Sequence, residues 1–412
     1  MDSRADAHRA HRFVQHAWIA IGIYLLGLGI SAVLRVQGDF NVYYRAGARV
    51  LNGEAIYRLD ESSHFLYAPI FAIMFAPFAM LPLRAAQFAW YLISAASLIA
   101  FIIGSARMLL GRDRVNASML VIPVALSAVF INNNIEHGQI NLPTLALIVW
   151  SIVLAEEDRA LASGVALAVA TLIKPYAALA ALFLLLESKW RPILYSIVAG
   201  IILLLAPVLV FGPSGTIATT SAYLQVVSSM TERYTMMLTN QSATSAVARL
   251  MSLGAPTDAP PSHLALYAGT ALELALVVAI VIWFLCGRVS ERGKFSKPHR
   301  FQLAALFCIM PSLVPISWKS YYAALLVPYM LLTALVWPDK PSAYSPPGLT
   351  LALIALSVIL DWIPGRRANH LAMFFSVHLI SSLLVLAALA TAAVWSENLA
   401  QFILTDAGTV NN

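Results

Sequence analysis

The residues of this chain that can do chemistry begin with Asp39, a carboxylate that follows the first long apolar run in the stretch GDFNVYYRAGARVLNGEAIY (38–57). An acidic group beside hydrocarbon is costly unless it borders a watery cavity, pairs with a cation or takes part in a reaction. Such a carboxylate can act as a general base that takes a proton from a hydroxyl group. It can equally be an N-cap that binds free backbone N–H groups, and its position alone favours neither role.

A second chemical group is the ammonium of Lys174, which lies in an otherwise apolar stretch and precedes Pro175. A cation there is suited to stabilise a phosphate that departs in a group transfer. The alternative is a lysine at a helix end whose long side chain reaches the lipid headgroups. We favour the phosphate, because a buried lysine without an anion would be neutral or badly placed.

Two amides, Gln139 and Asn141, end a polar break between two apolar runs, NNNIEHGQIN (132–141). Amide groups there can bind sugar hydroxyls or a phosphate oxygen, or they can cap helix ends. The residue types leave both interpretations open. For His137, which lies beside the two amides, we expect a solvated position in the loop.

Other candidates carry a charge or an aromatic ring. Arg45 can contact either a donor phosphate or lipid headgroups. For Arg49 we expect lipid headgroups, because the charged face of an interfacial helix usually meets them. Trp318 and either Tyr321 or Tyr322 can stack on a sugar or a prenyl chain. Aromatic residues at the outer end of a span are, however, more often anchors in the interface.

The acidic pair Asp60 and Glu61 comes nearest to a metal site, but two carboxylates in a loop are usually just solvated. The two cysteines, Cys286 and Cys308, lie in or beside apolar runs. They have the spacing of neither a metal site nor a disulfide framework. The sequence therefore predicts no metal and no other cofactor.

Composition identifies the class of protein that positions these residues. Of the 412 residues, 60% are hydrophobic and 11% are charged, against roughly 25% charged in an ordinary soluble domain. The net charge of +6 is a topology signal rather than a sign of nucleic-acid binding, because most cationic residues lie in short loops beside apolar runs. We expect a single all-α integral membrane domain over residues 1–412, in contact with membrane lipids.

Apolar runs recur along nearly the whole chain, and a helix needs about 20 such residues to cross the hydrocarbon core, so about 11–12 transmembrane helices are expected. The run after the basic N-terminus is too long for a signal-peptide core and is interpreted as a retained first span. The predicted spans are 17–34, 85–109, 115–131, 139–155, 160–174, 176–187, 191–211, 264–286, 301–316, 320–337, 348–363 and 371–395.

Three prolines break the apolar segment 65–82, so we expect it to be interfacial or re-entrant rather than a span. With that assignment, Arg107 and the basic segment 287–300 fall on the same side as the basic N-terminus. The positive-inside rule places that side in the cytoplasm. The long segments 35–84 and 212–263 are then outer-face loops.

The stretch that follows Asp39 carries apolar residues at helical spacing and cationic residues on another face. This pattern predicts a helix that lies in the membrane interface within the first outer loop. Asn52 and Gly53 are typical of the C-terminal end of such a helix.

Six segments together resemble glycosyltransferase family 87, the membrane-embedded GT-C transferases that include polyprenyl-phosphate-mannose-dependent α-mannosyltransferases. They span most of the chain. The resemblance implies a GT-C fold, a lipid-phosphate-linked sugar donor, an outward-facing site, inversion at the anomeric carbon and an acidic base in the first outer loop, which maps onto Asp39. The six segments are GDFNVYYRAGARVLNGEAIY (38–57), YAPIFAIMFAPFAMLP (67–82), EHGQINLPTLAL (136–147), IKP (173–175), NQS (240–242) and PISW (315–318).

The chain departs from this family in one place. Members often carry a histidine pair shortly after the SW dipeptide, whereas this chain has Lys319, Ser320, Tyr321 and Tyr322 there. The departure bears on the donor sugar and on any role that a histidine would have.

The sequence therefore predicts a membrane glycosyltransferase that moves a mannose-like hexose from a polyprenyl-phosphate donor to a hydroxyl group of a lipid or envelope glycan. We expect it in the plasma (inner) membrane, with a cytoplasmic N-terminus and a site that faces the outside or the periplasm. The alternatives are a transporter or flippase of lipid-linked sugars, which needs no base, and an envelope-glycan polymerase or ligase. The candidate site residues are Asp39 as base and, for donor phosphate and sugar, Lys174, Arg45, Gln139, Asn141, Gln241, Trp318 and Tyr321.

Overall fold

A computed structural model describes residues 2–35, 37–111, 117–253, 260–290, 299–336, 348–363 and 366–409 of the chain. These residues form helices and contain no strand, which confirms the all-α fold class. Short 3₁₀ helices lie at Pro175–Ala177, Met310–Ser312 and Lys319–Leu325. The α-helices are α1 Asp2–Leu34, α2 Gly38–Asn52, α3 Pro69–Ala79, α4 Leu83–Leu110, α5 Ala117–Leu126, α6 Ala128–His137, α7 Asn141–Glu156, α8 Ala160–Ile173, α9 Ala178–Leu186, α10 Trp190–Leu205, α11 Val208–Thr235, α12 Ala243–Met251, α13 His263–Ser290, α14 Arg300–Ile309, α15 Leu326–Val336, α16 Gly348–Asp361, α17 Arg366–Phe374 and α18 Val377–Thr409.

Several of these helices have the length and composition of membrane spans. Among the described residues, four segments are long and apolar enough to cross a membrane by themselves: Arg12–Ala32, Leu83–Leu110, His263–Cys286 and Val377–Val394. The pairs α5 with α6 and α10 with α11 qualify only together, and they bend by 66° and 81° at their breaks. The chain is a multi-pass membrane protein. The expected number of about 11–12 spans stays a prediction, because several apolar helices are shorter than a full crossing.

The first predicted outer segment folds into a compact pair of helices, α2 and α3. The helix α2 ends at Gly53, which has a left-handed backbone with φ 67°, as the sequence predicts. The helix α3 has 11 residues, about half the length that a crossing helix needs. The two helices touch at Gly47, where a Cβ atom would lie 2.5 Å from the carbonyl oxygen of Phe75, so a larger side chain would force them apart.

Aromatic side chains fill the space beneath this pair. The ring of Tyr43 packs edge-on against those of Phe71 at 5.4 Å and Phe75 at 5.2 Å. The ring of Phe75 also lies 4.9 Å from that of Trp90 on α4. Such ring pairs add to the stability that burial of their apolar surface provides. The first predicted outer segment is therefore anchored to the start of the second long span.

The predicted span 191–211 is interrupted in the structure. The helix α10 ends at Leu205 and α11 begins at Val208, with a non-helical Gly212 (φ 68°, ψ 173°) near its start. Pro207 and Pro213 flank this region, and proline removes the backbone donors that a continuous helix requires. Much of the segment predicted as an outer loop is therefore helical.

The two predicted outer segments contact each other. The ring of Tyr57 lies 5.7 Å from that of Tyr223 on α11. The Nδ1 atom of His64 lies 3.3 Å from the hydroxyl oxygen of Tyr234, also on α11. Segments that share one side of a membrane can meet in this way, whereas segments on opposite sides cannot.

Loops predicted on the other side also meet among themselves. The Nζ atom of Lys189 lies 3.3 Å from Oδ1 of Asp158. Arg300, at the end of the basic segment 287–300, donates to the carbonyl oxygen of Leu109 at 3.1 Å. These contacts agree with the two groups of loops that the sequence predicts, and the side on which each group lies stays a prediction.

The orientation of these groups can be tested by thiol labelling in intact cells. In a background without Cys286 and Cys308, we expect a membrane-impermeant maleimide to label Asp60→Cys from outside. Arg191→Cys, at the opposite end, should react only after permeabilisation. Both native positions are exposed, so reactivity reports the side rather than burial. Labelling of position 191 but not of position 60 in intact cells would contradict the predicted orientation.

Candidate active site

Asp39 lies in the first turn of α2 and binds a side chain rather than the helix end. The N-cap of α2 is Gln37, whose Nε2 atom donates to the carbonyl oxygen of Ala32 at 3.2 Å. One carboxylate oxygen of Asp39, Oδ2, accepts a hydrogen bond from Nε2 of Gln139. Its other oxygen accepts none from a described residue. The N-cap interpretation of Asp39 is therefore wrong, and one of its oxygens is available to a ligand.

A tight turn brings Gln139 to Asp39. The helix α6 ends at Gly138, whose φ of 67° favours glycine. A Cβ atom on Gly138 would lie 2.7 Å from Cβ of Phe40 in the first turn of α2, so the absence of a side chain permits the close approach. The indole Nε1 of Trp90 donates to the carbonyl oxygen of Gly138 at 2.8 Å and fixes the turn.

The second predicted amide, Asn141, lies in a buried polar network. Its Nδ2 atom lies 3.1 Å from Oδ1 of Asn134 and 3.0 Å from Oγ of Ser320. The amide of Asn134 in turn donates to the carbonyl oxygen of Ser320 at 2.7 Å. The network joins the α6–α7 turn to the 3₁₀ helix that follows Trp318. Sequence reasoning missed Ser320, because a lone serine in an apolar stretch gives no signal of its partner.

Lys174 is buried at the end of α8, and its side chain turns inward. Its exposed fraction is 6%, which rules out the interpretation that it reaches lipid headgroups. The ammonium donates to the hydroxyl oxygen of Tyr321. It also lies 4.1 Å from the ring centroid of Tyr321 and 5.0 Å from that of Tyr67. No described carboxylate forms a hydrogen bond with it.

The opposite charges of the Asp39 carboxylate and the Lys174 ammonium attract each other at this site. Burial raises the pKa of Asp39 above its usual range. The charges of His137 and Lys174 and the hydrogen bond from Gln139 lower that pKa, but by less than burial raises it. A raised pKa makes the carboxylate a stronger base. His137 is exposed, as expected.

Three predicted site residues are engaged elsewhere. Arg45 is exposed and donates to the carbonyl oxygen of Ser63 at 3.3 Å. Gln241 is buried, and its Nε2 donates to two backbone carbonyl oxygens, at 2.7 Å and 3.0 Å. The ring of Trp318 packs against that of Tyr234 at 5.7 Å. A direct role for Gln241 is not supported by these contacts, because its amide binds the backbone of its own segment at Leu238 and that of α17 at Met373.

The expectation for Arg49 is wrong. Its side chain is buried and forms an ion pair with Glu61. Its Nη1 atom also donates to the carbonyl oxygen of Ile56 at 2.9 Å. The chain turns back after Gly53, which brings these acceptors to Arg49 and leaves no access to headgroups. Asp60 is exposed as predicted, whereas Glu61 belongs to this ion pair.

The described residues contain no group of three or more His, Cys, Asp or Glu side chains that can hold a metal ion. The chemical groups that converge are instead one carboxylate, one ammonium, two amides and several phenols. Together they can accept a proton, hold an anion and bind hydroxyl groups.

Comparisons with known proteins fit this arrangement. The sequence profile described as Glycosyltransferase family 87 matches residues 65–312. A curated relative is the polyprenol-phosphate-mannose-dependent alpha-(1-2)-phosphatidylinositol mannoside mannosyltransferase of Mycolicibacterium smegmatis, 26% identical over 375 residues, with 83% of this chain and 79% of the relative covered. No solved structure matches the chain. The family match includes Gln139, Asn141 and Lys174, and Asp39 precedes it.

The buried ion pair of α2 predicts a stability difference between two neighbouring arginines. Arg49→Ala leaves Glu61 and a backbone carbonyl without their donor, so the free energy of unfolding should fall by roughly 1.5–3 kcal/mol. The matched variant Arg45→Ala changes an exposed side chain and should alter it by no more than about 0.5 kcal/mol. Chemical denaturation in detergent measures both values. Equal losses would contradict the different roles of the two residues.

Proposed function

This chain belongs to glycosyltransferase family 87, and we propose that it transfers a mannose-like hexose from a polyprenyl-phosphate donor to a hydroxyl group of a lipid or envelope glycan, with Asp39 as the general base. One observation carries the proposal: a buried ammonium and a half-buried carboxylate interact at one site, and neither is hydrogen-bonded to the other. The relative's name supports a polyprenyl-phosphate mannose donor and a glycolipid acceptor.

The proposed reaction is a direct displacement at the anomeric carbon. The acceptor hydroxyl gives its proton to Asp39 while its oxygen forms a bond to the anomeric carbon. The bond between that carbon and the phosphate oxygen breaks with its electron pair, and polyprenyl phosphate leaves. Lys174 stabilises the negative charge that develops on the departing phosphate. The sugar is transferred with inversion of its anomeric configuration.

The other polar groups of the site have supporting roles in this proposal. Gln139 holds one carboxylate oxygen of Asp39, which leaves the other oxygen free for the acceptor proton. Asn141 has a buried carbonyl oxygen, Oδ1, without a described partner. This oxygen is a suitable acceptor for a sugar hydroxyl. Arg45, Gln241 and Trp318 are left outside the reacting group, because their contacts engage them elsewhere.

We further propose that the site faces the outside of the plasma membrane or the periplasm, with the N-terminus in the cytoplasm. The support is the positive-inside pattern of the loops. The contacts among the loops of each group agree with the same sorting. The lipid phosphate of the donor would then lie at the outer end of α8, beside Lys174.

The assignment of the base is tested by Asp39→Asn. The amide is nearly isosteric with the carboxylate but cannot take the hydroxyl proton, so the turnover should fall by roughly 10² to 10⁴. The matched control Asp60→Asn removes an exposed carboxylate from the same segment and should keep normal turnover. Purified variants are incubated with a panel of polyprenyl-phosphate sugars, and released polyprenyl phosphate and new glycolipid are measured beside thermal unfolding. Near-normal turnover of a folded Asp39→Asn variant would remove Asp39 from the reaction.

The pH dependence of transfer gives an independent test through Gln139. The base must be ionised, so kcat/KM falls as the pH drops through the raised pKa of Asp39. The hydrogen bond from Gln139 lowers that pKa. In Gln139→Ala the pKa should therefore rise further, and the acidic limb of the profile should move to higher pH.

Gln241→Ala is the matched control for this pH profile. It removes a buried amide that binds backbone rather than Asp39, so it should lower stability without moving the acidic limb. An acidic limb that stays in place in Gln139→Ala, or moves to lower pH, would contradict the role of Asp39.

A further inference from the structure

Tyr176 has a buried hydroxyl group without a partner. The residue lies two positions after Lys174 in the 3₁₀ helix Pro175–Ala177, and its exposed fraction is 5%. Its hydroxyl oxygen forms no hydrogen bond with any described residue. Buried tyrosine hydroxyls usually have a partner, and a group that lacks one needs an explanation.

Tyr176 is the exception among the buried tyrosines of the described chain. Each of the others forms a hydrogen bond through its hydroxyl group with a side chain or a backbone carbonyl. Those residues are Tyr43, Tyr57, Tyr91, Tyr321, Tyr322 and Tyr329. The fold therefore satisfies phenols in general, and the unsatisfied one lies beside the proposed active site.

The neighbours of Tyr176 belong to the cluster around Lys174. Its ring centroid lies 5.9 Å from that of Tyr321, whose hydroxyl oxygen accepts the hydrogen bond from Lys174. Pro175 begins the short helix and restricts the backbone between Lys174 and Tyr176. The ammonium and the free phenol are thus held close together in the chain, and both contact Tyr321.

We infer that the hydroxyl group of Tyr176 donates a hydrogen bond to the phosphate of the lipid-linked donor that Lys174 holds. The inference rests on the proposed function. A phosphate presents several acceptor oxygens, which a single ammonium does not satisfy, and hydrogen bonds to an ionised acceptor are stronger than neutral ones. The hydroxyl group that has no partner in the protein would then find its partner in the phosphate of the bound lipid-linked sugar.

Tyr176→Phe separates this role from a structural one. The substitution removes one oxygen that has no partner in the protein, so the unfolding temperature should stay the same or rise. The apparent KM for the donor should increase roughly 10-fold or more, as expected for a lost hydrogen bond to a charged group. The change in kcat should be smaller.

Tyr329→Phe is a matched control with the opposite expectation. Its hydroxyl oxygen lies 3.0 Å from Oγ of Ser357, so its removal should lower the unfolding temperature and leave the donor KM unchanged.

A second readout does not need turnover: a short-chain polyprenyl phosphate without sugar should raise the unfolding temperature of the wild type and of Tyr329→Phe. It should raise that of Tyr176→Phe less, and that of Lys174→Ala least.

Two outcomes would overturn the inference in distinguishable ways. If Tyr176→Phe keeps the donor KM and the full stabilisation by polyprenyl phosphate while the wild type transfers sugar, the inference alone is wrong. If the wild type uses no polyprenyl-phosphate sugar and gains no stability from polyprenyl phosphate, the proposed function fails and the inference fails with it.

Discussion

The structure depends on keeping a carboxylate and an ammonium near each other in a largely buried site without letting them pair directly. In such a place the two charges attract strongly, and a direct ion pair would occupy both groups. The structure prevents this by giving each charge a neutral partner: Gln139 donates to Asp39, and Tyr321 accepts from Lys174. Each charged group can therefore still bind a ligand. In return, the burial of each charge is only partly compensated by hydrogen bonds within the protein.

The 3₁₀ helix Lys319–Leu325 connects three other chain segments around this arrangement. Three consecutive residues of this helix have different partners. Ser320 binds the amides of α6 and α7, Tyr321 binds Lys174, and the hydroxyl of Tyr322 donates to the backbone of Gln241 at 2.7 Å. A change in this short helix would therefore disturb the amides, the ammonium and the NQS segment together.

The sequence predicts the parts of this protein that depend on local pattern or on the properties of single residues. The family, the all-α class and the end of α2 at Gly53 are of this kind. Asp39 and Lys174 are recognisable because charge in an apolar context is costly wherever the chain folds. The structure does bring these two residues together with Gln139 and Tyr321.

The expectations that the structure does not support depend on where the chain returns in space. Arg49 has the spacing of a residue on an exposed helical face, and only the turn after Gly53 brings Glu61 to it. An amide such as Gln241 carries no sign in the sequence of whether it will meet a substrate or a backbone carbonyl. The hydropathy pattern does not show the bend between α10 and α11, because the residues on both sides of it are apolar. Pro207 and Pro213 nevertheless mark its position.

Because tyrosines surround Lys174, the proposed site separates hydrogen-bond donation to the phosphate from proton transfer. Family members often carry a histidine pair after the SW dipeptide, and an imidazole can both hold a phosphate and exchange a proton near neutral pH. A phenol ionises only near pH 10, so it donates hydrogen bonds at neutral pH without competing for the proton of the acceptor. With Tyr321 beside Lys174, the side of the site that we propose for the phosphate carries an ammonium and phenols rather than imidazoles. In the proposed reaction, proton transfer then falls to Asp39, whose half-buried carboxylate is attracted by the charge of Lys174.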